Sequence, residues 1–153
     1  RYSSTTCGAR FSTRPTILVD IGHNPQALTE NFAQLKQMLA GGDYASLIIV
    51  YAVMADKDLD GILPLMPEEA TYVFTSPSTR RALPVEQLTA RYESFSRHTG
   101  RSLARIHSAV TVPEAIERAL KLASGADRPL VYIGGSAYLI AEALPVLRSL
   151  PLR

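Results

Sequence analysis

The chain alternates short runs of β-branched and aromatic residues with stretches that carry apolar residues at helical spacing. Alternating βα units of this kind predict a mainly parallel sheet with helices on both faces. Five runs are strand candidates: TILVD at 16–20, SLIIVYAV at 46–53, ATYVFT at 70–75, ARIH at 104–107 and LVYI at 130–133. The second run is apolar almost throughout, which is typical of a strand buried on both faces. We therefore predict an α/β fold, a Rossmann-like three-layer sandwich with a mainly parallel sheet of five to six strands.

Capping and breaking residues mark the expected ends of the helices. Asn24 is placed to cap the helix after the first strand, Pro25 to open it and Gly41-Gly42 to end it. The other helices are expected over 59–66, from 85 to Gly100, from the capping box at Thr111 and Glu114, and from about Ser136. We expect residues 9–13 to add an antiparallel edge strand.

Length and composition exclude several classes of protein. With 153 residues the chain can bury a core by itself, so we treat 1–153 as a single domain. The only cysteine is Cys7, which excludes an internal disulfide and a zinc site built from cysteine pairs. The longest apolar run, 47–55, is far shorter than a membrane span, and no secretory leader is recognisable, so a cytoplasmic protein is expected. The net charge is only +2, and a helix with mixed charges on its solvent-facing side explains most of the arginines of 80–105, which argues against nucleic-acid binding.

Chemistry-bearing residues follow the first strand candidate directly. Ligands of open α/β sheets bind beyond the carboxyl ends of the strands. There, Asp20, Gly22, His23 and Asn24-Pro25 bring together a carboxylate, a glycine, an imidazole and a helix N-terminus. These groups suit a ribose hydroxyl, the water shell of a cation or a phosphate. The alternative stays open: Asp20 caps a turn, His23 is solvated and Asn24-Pro25 only starts a helix.

Two further loops leave strand candidates at the same expected edge. Asp56, Lys57 and Asp58 follow the second candidate, where Lys57 is able to neutralise a phosphate. The alternative is that Asp58 caps the next helix and the other two are solvated. Gly134-Gly135-Ser136 follows the fifth candidate. Its glycines permit positive φ or a close backbone approach to a ligand, but a tight turn with a helix cap explains them equally well.

Taken together and in this order, these segments resemble one branch of the Mur ligase superfamily, the folylpolyglutamate and dihydrofolate synthases. VDIGHNPQA at 19–27 resembles the branch's Asp-x-Ala-His-Asn-Pro segment, and AVMADKD at 52–58 its Gly-x-x-x-Asp-Lys-Asp loop. GGSAYL at 134–139 is similar to its Thr-Gly-Ser-x-Tyr-Leu, 80–88 to its Pro-Arg-Ala stretch and 8–11 to its Gly-Arg-Phe start. The resemblance spans essentially the whole chain and corresponds to the C-terminal, glutamate ligase domain.

The resemblance implies an ATP- and Mg²⁺-dependent ligase that forms an acyl phosphate on folate or dihydropteroate and couples it to L-glutamate. It also implies that the chain, which begins at Arg1 without Met, follows an N-terminal domain holding the P-loop and the magnesium ligands. No metal ligands are expected in this chain, and a monomer is expected. The implied roles are His23 as catalytic residue; Arg10, Asp20, Asn24 and Lys57 as nucleotide contacts; and His23, Ser136 and Tyr138 as candidates for binding glutamate.

Two other interpretations were weighed against this one. The first is another Mur-type amino-acid ligase, acting on a cell-wall precursor, which has less in common with the Asp-Lys-Asp and Gly-Ser-x-Tyr-Leu segments. The second is a receiver-like or flavodoxin-like module that only binds partners. A receiver needs an aspartate after the third strand and a lysine after the fifth, where this sequence has Thr75-Ser76-Pro77 and Gly134-Gly135-Ser136.

Overall fold

The computed structural model describes residues 2–4, 15–22, 25–103 and 105–150. Its elements follow in chain order as β1 (Tyr2–Ser4), β2 (Thr16–Val19), α1 (Pro25–Ala40), β3 (Ser46–Tyr51), α2 (Leu59–Ile62), a 3₁₀ turn (Leu63–Leu65), β4 (Thr71–Phe74), α3 (Val85–Thr99), β5 (Ile106–Ser108), α4 (Val112–Ser124), β6 (Pro129–Gly134) and α5 (Ala137–Arg148).

The strands form one six-stranded sheet in the order β1-β2-β6-β3-β4-β5. The five strands from β2 to β5 pair in parallel, and β1 pairs antiparallel with β2. The predicted mainly parallel α/β fold is thereby confirmed. The antiparallel edge strand is Tyr2–Ser4, whereas the segment 9–13 that we expected in this role lies outside the described residues.

Two hydrophobic cores cover the two faces of the sheet and make the three layers. One core lies under α1, α2 and α3, and the other under α4 and α5. Successive side chains of the central strand β3 enter opposite cores: Leu47, Ile49 and Tyr51 face one, and Ile48 and Val50 face the other. This double burial explains why the strand is a continuous apolar run rather than an alternating one.

Several element ends differ from the predicted ones for identifiable reasons. β3 ends at Tyr51 although the buried run continues to Met54, because Val53 and Ala55 pair with a returning loop instead of with the sheet. The predicted helix over 59–66 is an α-helix only to Ile62 and continues as a 3₁₀ turn around Pro64, whose ring is incompatible with a longer α-helix. The fourth strand candidate is shifted toward the C-terminus, to Ile106–Ser108.

The predicted helix starts and stops are otherwise confirmed in the described residues. Pro25 opens α1, and Gly42, with φ +87°, follows its end. Gly100 ends α3 in the left-handed conformation, and Thr111 caps α4 by accepting a hydrogen bond from the Glu114 amide at 3.3 Å. None of the helices in the described part of the chain is long and apolar enough to cross a membrane.

Candidate functional site

Four loops meet at the end of the sheet where the parallel strands terminate. We call this end the carboxyl edge and define it by residues 20–22, 52–58, 75–83 and 134–136. The loops leave β2, β3, β4 and β6, which are neighbours in the order β2-β6-β3-β4. Parallel strand order therefore brings the predicted site residues of three separate segments to one edge.

Asp20 stands at the tip of β2 in the β2–α1 loop. Its backbone N–H continues the sheet by donating to the Ile133 carbonyl oxygen at 3.0 Å, and its Oδ1 accepts from the Gly22 amide at 3.1 Å. The carboxylate therefore caps its own turn, as the structural alternative predicted, while the residue remains partly exposed. Arg10, His23 and Asn24 lie outside the described residues.

Gly22 is required by a close approach to α1. A Cβ added at this position would lie 2.7 Å from Asn31 Nδ2 and 3.3 Å from the Ala27 Cβ. The Gly22 backbone is therefore packed closely against side chains of α1. Ile21, by contrast, points outward and is 62% exposed.

The loop after β3 contains the three charged residues predicted there, and they have different surroundings. Asp58 Oδ1 accepts from the Gly61 amide at 3.2 Å and caps α2, so its structural interpretation is confirmed. The Lys57 backbone is fixed in a turn, with its N–H donating to the Met54 carbonyl at 3.2 Å. Neither Lys57 nor Asp56 forms an ion pair with any residue that the structure describes. Both charges thus remain available at the carboxyl edge.

The loop after β4 folds back and stiffens this edge. Met54 and Ala82 form an antiparallel bridge, flanked by hydrogen bonds from Ala55 N–H to the Arg81 carbonyl at 2.8 Å and from Leu83 N–H to the Val53 carbonyl at 2.9 Å. The bridge holds the backbone of Arg81 firmly beside the loop that contains Lys57.

Arg81 is a site residue to which sequence reasoning gave no role. Its Nη1 donates to the Tyr138 hydroxyl at 3.3 Å, and its guanidinium carbon lies 5.9 Å from the centre of the Tyr138 ring. Ser78 donates through N–H and hydroxyl to Glu142 Oε2, each at 2.8 Å, and ties the same loop to α5. The only available hint was Arg80-Arg81 itself, since its partners are more than fifty residues away in sequence.

The residues of the turn between β6 and α5 have structural roles, as a helix cap and as a close-packed glycine. Ser136 is 1% exposed, and its Oγ accepts from the amides of Tyr138 and Leu139 at 3.1 and 3.4 Å as the cap of α5. Gly135 has φ +104°, and a Cβ there would overlap the Ala52 carbonyl oxygen. Both features match the cap-and-turn interpretation. Tyr138 is 41% exposed, so of Ser136 and Tyr138, the two glutamate candidates that the structure describes, Tyr138 alone presents its side chain at the surface.

Three grooves are formed by described residues outside the loops that define the carboxyl edge. One of about 350 Å³ lies between α3 and the start of α4, and the others of about 240 and 220 Å³ lie at the opposite, amino edge of the sheet, where both contact Arg105. None of them is lined by Asp20, Lys57 or Arg81.

Comparison with known families identifies the domain. Residues 9–136 match the family model described as the Mur ligase, glutamate ligase domain. The chain belongs to this family. The glutamate ligase domain is 34% identical over 133 residues to the probable bifunctional folylpolyglutamate synthase/dihydropteroate synthase of Haloferax volcanii, covering 87% of this chain and 14% of that protein. It is 34% identical over 110 residues to the dihydrofolate synthase/folylpolyglutamate synthase of Mycobacterium tuberculosis, covering 70% of this chain and 22% of that protein.

A solved structure supports the same relationship. The glutamate ligase domain superposes on Mycobacterium tuberculosis folylpolyglutamate synthase complexed with ADP and AMPPCP with a TM-score of 0.67 and 30% identity. The match covers 91% of this chain and 31% of that one. The chain thus spans less than a third of the length of each of these relatives, so it corresponds to one part of a larger enzyme in them.

Proposed function

We propose that this glutamate ligase domain is the C-terminal part of a folylpolyglutamate synthase, an ATP-dependent ligase that adds L-glutamate to folate. One observation carries the proposal: Asp20, Lys57 and Arg81 lie on the carboxyl edge, and the two cations form no ion pair with a described residue. The relatives named as folylpolyglutamate synthases, one of them complexed with ADP and AMPPCP, support this choice of substrates.

In the proposed reaction the substrate carboxylate attacks the γ-phosphorus of ATP, and the bond to the β-phosphate oxygen breaks to release ADP. The amine of L-glutamate then attacks the acyl phosphate carbon, phosphate leaves, and the nitrogen loses a proton to give the amide. Negative charge gathers on the transferred phosphoryl oxygens, so cations and helix N-termini aimed at them stabilise the transition state.

The residues of this chain take the following proposed roles. Arg10, Asp20 and Asn24 contact the nucleotide, and Lys57 offsets the charge of its phosphates. His23, which precedes α1 by two residues in the sequence, is the proposed catalytic residue beside the γ-phosphate and the incoming glutamate. Tyr138 is the exposed candidate for contacting glutamate, and Ser136 remains a candidate whose hydroxyl is already engaged in the α5 cap.

We place Mg²⁺ outside this chain in the proposal. Among the described residues no three His, Cys, Asp or Glu side chains are close enough together to hold a metal ion. The magnesium ligands and the P-loop are proposed to belong to an N-terminal domain, which neither Asp20 nor Asp56 replaces. No step above is therefore assigned to a metal bound by these residues.

We propose that the N-terminal domain docks on the carboxyl edge, near which a few large apolar side chains are exposed. Ile21 and Val110 are 62% and 70% exposed, and each follows the carboxyl end of a strand, as does Tyr138. Closure of the N-terminal domain over this edge would enclose the nucleotide and exclude water.

The experiment compares the complete protein with the 153-residue chain. We expect the complete protein to release ADP only when a folate and L-glutamate are both present, and the chain alone to release none. Dihydropteroate in place of folate tests the dihydrofolate synthase activity. Turnover by the chain alone would contradict the proposal, and turnover on a cell-wall precursor instead of folate would favour the other Mur-type ligase.

A matched pair of histidine variants tests the catalytic assignment in the complete protein. We expect His23→Ala to lower turnover by roughly a hundredfold, as expected for loss of a positioned polar group at the reacting atoms. His98→Ala is the control, because His98 lies at the exposed end of α3 with its Nδ1 near the Ser94 carbonyl. Equal turnover in the two variants would remove His23 from the site.

A further inference from the structure

A sequence of close contacts leads from the β2–α1 loop into the core between α1 and β6. Gly22 lies directly over the Asn31 side chain, since a Cβ on Gly22 would be only 2.7 Å from Asn31 Nδ2. That nitrogen also donates a long hydrogen bond of 3.5 Å to the Tyr132 hydroxyl oxygen. The Asn31 amide therefore fills the space between the loop and a tyrosine of the central sheet.

Tyr132 has little freedom to move. It is 2% exposed, its ring meets Phe32 edge-on with centroids 6.1 Å apart, and a Cβ on Gly134 would lie 2.7 Å from the ring. A ring packed on several sides holds its hydroxyl at a fixed point. The Asn31 amide is thus oriented by an immobile partner.

Tyr51 is a second buried tyrosine on the same face of the sheet, and it differs from Tyr132 in the hydrogen bonding of its hydroxyl. It is fully buried, its ring packs against Phe74 and beneath Gly135, and its hydroxyl has no hydrogen-bond partner among the described residues. Burial, and then the nearby Tyr132, raise the pKa of Tyr51, so its hydroxyl stays protonated. Of the two tyrosines, only Tyr132 is connected to the loop.

We propose that Asn31 and Tyr132 are positioning residues that hold the β2–α1 loop, and with it the Asp20 carboxylate, in the geometry for nucleotide binding. The inference rests on the nucleotide-binding role of Asp20 in the proposed function. A side-chain amide wedged beneath Gly22 prevents the loop from sinking toward α1, and the Tyr132 hydroxyl keeps that amide from rotating away. Displacements of about 1 Å at a reacting group are enough to lower rates strongly.

The first test uses hydrogen exchange of the Gly22 amide in this chain without nucleotide. The amide donates to Asp20 Oδ1, so its protection reports how firmly the loop is closed. We expect Tyr132→Phe and Asn31→Ala each to accelerate exchange by about fivefold, the factor for one modest hydrogen bond. The double variant should exchange no faster than the faster single one, because the two side chains act as one unit. Tyr51→Phe is the control and should leave exchange within about twofold.

Two results of this test would overturn the inference. One is unchanged Gly22 exchange in both Tyr132→Phe and Asn31→Ala. The other is equal acceleration by Tyr51→Phe, which would mean that loosening of the core, and not the Asn31 contact, opens the loop.

The second test measures kcat and the KM for ATP in the complete enzyme, with Asp20→Asn as a reference variant. We expect Tyr132→Phe to lower kcat/KM for ATP by about tenfold while Tyr51→Phe leaves it unchanged. Normal kcat/KM in Tyr132→Phe alongside a defect in Asp20→Asn would overturn the positioning role. Normal kcat/KM in Asp20→Asn would instead remove Asp20 from the proposed function. The Gly22 exchange data involve no nucleotide, so they test the Asn31–Tyr132 contact independently of the role of Asp20.

Discussion

The β2–α1 loop and the β6–α5 turn are neighbours at the carboxyl edge, yet they use similar residues in opposite ways. In the β6–α5 turn, Gly135 packs against the Ala52 carbonyl and the Ser136 hydroxyl is buried in a helix cap. In the β2–α1 loop, Gly22 packs against the end of the Asn31 side chain instead of against backbone, Ile21 is turned outward and Asp20 is partly exposed. Of the two polar residues, only Asp20 keeps the access to solvent that a ligand contact requires.

The largest effect is expected in the packed turn. Gly135→Ala should lower the free energy of unfolding by at least about 4 kcal/mol, since the new Cβ combines positive φ with overlap of backbone atoms. Gly42→Ala is the matched control: its φ is +87° but nothing lies within 4 Å of the added Cβ. Denaturant unfolding should give about 1–2 kcal/mol for that control. Equal losses at the two glycines would show that packing at the turn is unimportant.

A substitution in the β2–α1 loop should lower the activity of the enzyme and leave its stability almost unchanged. Asp20→Asn in the complete enzyme should reduce turnover by roughly a hundredfold. The free energy of unfolding should change by less than about 0.5 kcal/mol, because the amide oxygen still accepts from Gly22 N–H. Asp127→Asn, at the amino edge beside Arg128, is the control and should leave turnover unchanged. A large stability loss in Asp20→Asn with normal turnover would reverse the contrast between the two regions.

The buried tyrosine beneath the packed turn predicts a pH dependence. Burial raises the pKa of both Tyr51 and Tyr72 above the ordinary value of 10.0. The unfolded chain then loses these protons first, so the contribution of the two tyrosines to the free energy of unfolding is constant below about pH 10 and falls as the pH rises beyond it. Tyr51→Phe should reduce this slope by up to about 1.4 kcal/mol per pH unit. Urea midpoints that fall equally between pH 8 and 11 in the unsubstituted protein and in Tyr51→Phe would argue against burial of Tyr51.

The smallest effect separates two roles for Ser136. We expect Ser136→Ala to lower the free energy of unfolding by about 1 kcal/mol, the usual value for a helix cap. Thr111→Ala, at the cap of α4, should cost a similar amount. The KM for glutamate of the complete enzyme should change less than about twofold, since a buried and engaged hydroxyl has little left to offer a substrate. Unchanged stability with a raised KM would assign the hydroxyl to glutamate instead.

The sequence predicted the fold well because its local patterns agree with one another. The double-buried strand β3, the Pro25 start and the Gly100 stop all follow from rules that involve neighbouring residues only. Predictions failed where distant segments meet. The run 46–53 was expected to be one strand, but the loop after β4 pairs with its last residues and ends β3 at Tyr51.

In the candidate site, too, local patterns were predictable from the sequence and contacts between distant segments were not. Asp20 and Lys57 were predicted from their places at strand tips, and parallel strand order brings both to the carboxyl edge. Arg81 was not predicted as a site residue, because its contact with Tyr138 depends on how the loop after β4 folds back. From the sequence, Ser136 was equally well explained as a helix cap and as a ligand contact. Its burial in the structure favours the cap.

The most direct test of the central claim is hydrogen exchange of the complete protein with and without AMPPCP. We expect new protection at the carboxyl edge, at residues 20–22 and 55–57, and none at the amino edge around Arg105. Protection at the amino edge, or an unchanged carboxyl edge at saturating nucleotide, would contradict the claim that the carboxyl-edge loops of this domain face ATP.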